Sequence, residues 1–187
     1  MTAPAAATSA RTAGAVTRYW KTGLVIGNLD LTGITAGPPD PDPAGDRCLT
    51  LPPGAATGLQ LLKEQFLASM NQLAEADGTP AIPAVGVDVQ VWRNGYDMPA
   101  FASQARYAGW TVLSATAPGH SESGCLNLTD PRAGSALTAM PGLPWGRQFV
   151  IRPVPGAHAV VPGWLTCSIV PLEPGQQITV AVAASAS

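Results

Sequence analysis

The chain carries little charge and almost no histidine. Of its 187 residues only 12% are Asp, Glu, Lys or Arg, and there are two histidines, His120 and His158. The 10 Lys and Arg are scattered and the net charge is −2. That excludes the cation-dense surface needed to neutralise nucleic-acid phosphates. Cysteine is also scarce: Cys48, Cys125 and Cys167 are odd in number and none sits in a Cys-x-x-Cys pair. Neither a disulfide framework nor a zinc knuckle is encoded, and a reducing, cytoplasmic setting is expected. No apolar run approaches the roughly 18 residues that span a bilayer. The opening "MTAPAAATSARTAGAV" lacks a continuous apolar segment and carries Arg11 in its middle, unlike a secretory signal. No phosphate loop, dinucleotide fingerprint or Gly-x-Ser-x-Gly elbow occurs. The expected partner is therefore a small molecule, with no nucleic acid and no membrane involved; a homodimer is possible.

What the chain does have is apolar residues (46%), 20 Gly and 19 Pro, a balance that favours a turn-rich β fold. Residues 1–15 read as a flexible tail, and 16–187 as a single domain. "RYWKTGLVIGNLDL" (18–31) has strand composition, and "ITAGPPDPDPAGDRC" (34–48) reads as a proline-broken loop. One helix is predicted over about 58–77, with Thr57 as N-cap, Gly78 as stop, and an apolar stripe of Leu59, Leu62, Phe66, Met70 and Leu73. At 85 the period changes to two. In "VGVDVQVWRN" (85–94), Val85, Val87, Val89 and Val91 are expected to face the core, opposite Gly86, Asp88, Gln90 and Trp92. Further strands are predicted at about 109–117, 124–130, 147–153, 157–162, 165–171 and 177–184, most of them separated by Gly/Pro turns. One helix followed by seven or more short strands reads as a jelly roll or sandwich.

Three segments carry a resemblance: "SGCLNLTDPRAG" (123–134), "PGLPWGRQFVIRPVPGAHAVVPGWL" (141–165) and "GQQITVAVAAS" (175–185). In order and spacing they resemble a small bacterial branch of the 2-oxoglutarate/iron(II)-dependent oxygenases, and the likeness covers about residues 85–185. It implies a mainly β fold: a double-stranded β-helix, cupin-like, with one long helix packed on the barrel. In that family two histidines and a carboxylate or a third histidine hold iron. The resemblance puts the first pair of ligands in a window holding Ala100, Phe101, Ala102 and Ser103, and the distal ligand on Cys167. The Arg that pairs with 2-oxoglutarate falls near Gln176 or Gln177. None of these residues is the family's ligand, and an amide does not replace a guanidinium in a salt bridge. The expectation is a barrel with no metal and no cofactor.

An emptied barrel keeps a concave mouth. Candidate contributors to chemistry are Arg93, Tyr96, Arg147, His158 and Cys167; candidate lining residues are Trp92, Phe101, Ser103, Tyr107, Trp110, Arg152 and Gln177. Asp130 and Arg132 of "DPR" read as structural. Three functions remain open. One is a metal-independent cyclase or isomerase acting on an apolar small molecule in bacterial secondary metabolism, working by holding a reactive conformer. Another is a non-catalytic binding protein, or a pseudoenzyme that supports a partner. The third is an oxygenase with a non-standard site drawn from His120, His158, Asp97 and Cys167.

Overall fold

The computed structural model describes residues 14–20, 22–36, 46–93, 95–131 and 148–186. The segment 18–31 forms a hairpin of β1 (Val16–Tyr19) and β2 (Thr22–Asn28), paired antiparallel. The segment 34–48, expected to be loop throughout, contributes ladder at both ends. Thr35–Ala36 (β3) pairs with Ala56–Thr57 (β5), and Cys48–Thr50 (β4) pairs with the strand that begins at Val85. Its four prolines lie outside the described residues.

Helix α1 (Leu59–Ala76) carries the predicted stripe: Leu62, Phe66, Met70 and Leu73 are fully buried. Its start differs from expectation. The N-cap is Gly58, at φ 73°, without a side-chain cap. A β-carbon on Gly58 would lie 2.5 Å from the Gly33 carbonyl oxygen, so close approach to β3 selects glycine here. Thr57 is drawn into β5 instead, and its hydroxyl meets that of Thr35 at 2.6 Å. The helix ends as predicted at Gly78, φ 65°. Gly78 N–H bonds the Glu75 carbonyl (3.1 Å) and Thr79 N–H bonds the Ala74 carbonyl (2.8 Å), the paired closure of a Schellman turn.

From Val85 onward eight strands among the described residues wrap into a barrel: β6 (Val85–Arg93), β7 (Met98–Phe101), β8 (Tyr107–Ala115), β9 (Leu126–Leu128), β10 (Phe149–Ile151), β11 (Ala157–Pro162), β12 (Cys167–Ile169) and β13 (Gln177–Ser185). The larger sheet has the order β1-β2-β11-β8-β13-β6-β4 and the smaller one β10-β9-β12-β7. Among the described strands successive ones alternate between the two sheets except for β9 and β10, and β13 pairs with β6 over nine residues, from Gln177↔Arg93 to Ser185↔Val85. This is a double-stranded β-helix, mainly β, with one helix laid on its larger sheet.

The larger sheet is covered on both faces, and this sorts its side chains. Helix α1 takes one face, burying Val25, Val89, Tyr107, Leu113, Val160 and Ala181. The smaller sheet takes the other, where Trp92, Trp110, Val112, Ile178 and Val180 meet Leu126, Leu128, Cys167 and Ile169. The alternation predicted for β6 therefore holds with a different partner for each face. Val85, Val87 and Val89 pack toward the helix, whereas Gln90 and Trp92 face the barrel interior. The helix packs tightly on Gly109, where a β-carbon would sit 2.8 Å and 2.9 Å from the buried Phe66 ring and 3.0 Å from Val160. Gly109→Ala should thus cost about 1–3 kcal/mol by overpacking. Gly86→Ala, whose β-carbon meets nothing nearer than 3.9 Å, should change little. Urea unfolding of both variants checks this.

Candidate functional site

Strand parity builds one cavity at the end of the barrel where β6, β8 and β13 face β7. It has a volume of ≈ 220 Å³, and its walls include Gln90, Trp92, Tyr96, Phe101, Ser103 and Trp110. Tyr96 and Phe101 flank the β6–β7 turn and β7, and Trp92 and Trp110 stand on neighbouring ladders. Trp92 and Tyr96 stack with centroids 5.3 Å apart at 29°; Phe101 meets Trp110 edge-on at 6.3 Å and 79°. Trp92 and Trp110 also bound a second interior space of only ≈ 20 Å³, about the room one water needs. The two indoles thus form a wall across the barrel. A larger hollow of ≈ 310 Å³ lies beside the start of α1, but its lining, which includes Pro52, Pro53, Leu59, Lys63, Val87 and Asp88, has no aromatic wall.

The polar groups of the aromatic cavity are few and coupled. Trp92 Nε1–H donates to Gln90 Oε1 at 2.9 Å, and the Cys48 thiol donates to the same oxygen at 3.6 Å. Tyr96 O–H points to the Met98 sulfur at 3.9 Å. Burial, then the neighbouring Cys48 and Asp97, pushes the Tyr96 phenol up to about 12. Burial also raises the Cys48 thiol, outweighing the hydrogen bonds from Tyr96 and Trp92 that favour its thiolate. Ser103 Oγ accepts Ala105 N–H at 3.1 Å. Tyr96 and Cys48 are therefore both protonated at neutral pH, and neither is poised as a general base. Cys48, Gln90 and Met98 are additions to the sequence expectation. Gln90 is two residues from Trp92 and shares its face, a signal the alternation contained; Cys48 enters through the β4–β6 pairing, which the proline-rich loop concealed.

Other predicted site residues lie elsewhere. His158 is fully buried under the helix, with Nε2 3.0 Å from Ser69 Oγ, Nδ1 2.8 Å from Thr111 Oγ1, and the Phe66 ring 5.1 Å away. Tyr107 faces the same side, reaching Thr79 and Asp77 at 3.3 Å each. Arg93 alternates with Trp92 and so turns from the interior; its Nε donates to the Asp46 carbonyl at 3.0 Å. Gln177 spends its backbone on Thr116. Arg152 is exposed at the rim of the small interior space, not at the aromatic cavity. Asp97 is exposed, and His120 sits in an exposed turn with Nδ1 accepting Glu122 N–H at 3.4 Å. Asp130 is buried; Arg147 and Arg132 lie outside the described residues.

The register brings the inferred ligand positions together, since Cys167 pairs directly with Phe101 across β7 and β12. The donor set there does not fit iron. Phe101 offers a ring, and Cys167 is buried with its thiol donating to the Leu165 carbonyl at 3.4 Å. Burial pushes that thiol up to about 12, so a thiolate ligand is strongly disfavoured. Among the described residues no group of three or more His, Cys, Asp or Glu could hold a metal ion. The position inferred for the 2-oxoglutarate arginine is equally committed. The Gln176 amide oxygen accepts from Ser123 Oγ and from Glu173 N–H (3.3 Å), and Nε2 donates to the Ser123 carbonyl (3.4 Å). It ties two turns together and brings no positive charge.

No protein-family model and no curated protein sequence matches the chain. Solved structures with a similar course include a Pseudomonas putida prolyl-4-hydroxylase, at 15% identity and TM-score 0.49, covering 73% of this chain and 70% of that one. The non-heme alpha-ketoglutarate-dependent epimerase SnoN of nogalamycin biosynthesis is similar at 16% identity and TM-score 0.45, covering 77% and 67%. A cupin domain from Bordetella pertussis follows at 9% and 0.34, covering 55% and 82%. Likeness at this distance assigns no activity. Among the described residues no helix is long and apolar enough to cross a membrane.

His158 gives this region a pH signature. Burial lowers its pKa from 6.5 to about 4. The unfolded chain takes up the proton near 6.5 and the folded protein only near 4, so the unfolded state binds more protons between these values. The stability held by neutral His158 is complete above pH 6.5 and falls by about 3 kcal/mol as pH drops toward 4. Unfolding free energies of the protein and of His158→Gln, measured between pH 7 and 4, should converge by about that amount as pH falls.

Proposed function

We propose that the chain is a small-molecule-binding barrel whose ligand is a planar, mainly apolar molecule seated between Tyr96, Phe101, Trp92 and Trp110. One observation carries this reading. The register brings four aromatic side chains to one cavity, and Tyr96 and Cys48 beside them are protonated near neutral pH. A cavity of ≈ 220 Å³ admits two or three fused rings and little more. Chemistry in such a place works by shape. Stacked walls hold one conformer of a flexible ligand, and neutral donors stabilise charge that develops on it. Cyclisation and isomerisation are the reaction classes that need nothing else, which makes a metal- and cofactor-independent cyclase or isomerase of bacterial secondary metabolism the enzymatic form of the proposal. A non-catalytic carrier or pseudoenzyme would use the same cavity and the same walls.

Two outcomes follow. A planar aromatic titrated into the protein should quench tryptophan emission saturably. Ala184→Phe, which plugs the cavity from an exposed lining position, should abolish that quenching while leaving the melting temperature within about 3 °C, as a surface substitution does. Turnover of a polyene or quinone-like substrate that persists in EDTA and disappears in Ala184→Phe would establish the enzymatic form. Saturable binding with no turnover across such a panel would establish the carrier.

A further inference from the structure

Gln90 is placed to read a hydrogen-bond acceptor on the ligand, an inference that rests on the cavity being the binding site. Its amide orientation is fixed by chemistry. The indole N–H of Trp92 can only donate, so the atom 2.9 Å from it must be the amide oxygen. The Cys48 thiol, protonated and donating, meets the same oxygen at 3.6 Å. With both contacts on Oε1, the two Nε2 hydrogens of this half-buried side chain are left for the cavity that it lines. Besides the Trp92 and Cys48 hydrogens already spent on Oε1, the other polar hydrogens there belong to Tyr96, Ser103 and the Trp110 indole. Tyr96 O–H has only sulfur acceptors, the Met98 thioether at 3.9 Å and the Cys48 thiol, and Ser103 Oγ already accepts Ala105 N–H, which leaves its own hydrogen to donate. The cavity holds no carboxylate, and its one amide oxygen is used twice. The lining is thus aromatic in its walls and donor-rich at its polar points.

We infer that the ligand is a planar aromatic molecule bearing a carbonyl or quinone-type oxygen, and that Gln90 Nε2 is the group that selects it. A purely hydrocarbon ligand would leave that amide N–H₂ desolvated without an acceptor, and a ligand presenting only donors would face donors. Selection arises from the unpaired group as much as from the bond that is made. Within the proposed cyclisation or isomerisation, the same N–H₂ would stabilise negative charge growing on the carbonyl oxygen, with no proton leaving the protein.

The test uses the full chain and two probes of nearly identical shape, 9-fluorenone and fluorene, followed by tryptophan quenching and calorimetry. A neutral hydrogen bond in a dry site predicts that fluorenone binds about five- to tenfold more tightly than fluorene. Gln90→Leu should bring fluorenone down to the affinity of fluorene and leave fluorene itself unchanged within about twofold. If wild-type protein binds both probes equally, the role given to Gln90 is overturned while the cavity stands. If it binds neither, and the indole N–H resonances do not shift on adding either probe, the binding-site reading falls and takes this inference with it. Because the wild-type comparison needs no substitution, it decides the matter even if Gln90→Leu, which also releases Trp92 Nε1, fails to fold.

Discussion

The structure depends on one constraint: the larger sheet is buried on both faces, by a helix on one side and a second sheet on the other. A strand cannot turn a residue partway. Each side chain goes to the helix or to the barrel, and its neighbour goes the opposite way. In β8 this sends Tyr107, Gly109 and Thr111 to the helix and Trp110 and Val112 to the barrel. In β11 it sends His158 to the helix and Ala159 to the barrel. The site is what remains on the barrel side where β4, β6, β8 and β13 come together. Its contents follow from parity and register before any question of chemistry arises.

That sorting also explains the character of the site. Of the titratable groups, His158 and Asp97 are held elsewhere: His158 under the helix between two hydroxyls, and Asp97 in solvent. Those that reach the interior, Tyr96, Cys48 and Cys167, are kept protonated by burial. The Phe101–Cys167 pair stands where the resemblance places two iron ligands, and it fills that place with a ring and a thiol packed in the core. Burial there stabilises the barrel through apolar contact. A cavity lined this way favours selection by shape and by hydrogen bonding over acid–base work.

Much of the fold was legible in the sequence because its signals are local. The stripe from Leu59 to Leu73, the stop at Gly78 and the valine alternation each follow from a single period or a single residue type. The double-stranded β-helix was legible only through the resemblance, since periodicity yields strands and not their order. The site was harder, because it depends on pairing. Nothing local tells that the Val face of β6 looks to a helix, that Cys48 pairs against Trp92 across β4, or that Thr111 lies opposite His158. Tyr107 and Trp110, three residues apart, could not share a face of one strand; that much was available in advance. Thr57 illustrates the reverse case, a sound local N-cap overruled because Gly58 had to fit against Gly33.

That the barrel end at Phe101, a position where the resemblance implies a metal ligand, is instead an aromatic cavity for an apolar ligand can be tested directly. The most direct measurement is elemental analysis of the purified protein by mass spectrometry, paired with calorimetric titration of 2-oxoglutarate in the presence of added Fe(II). The account predicts iron well below one per chain and no heat of binding. Stoichiometric iron together with saturable 2-oxoglutarate binding would contradict it, and would return His120, His158, Asp97 and Cys167 to consideration as ligands.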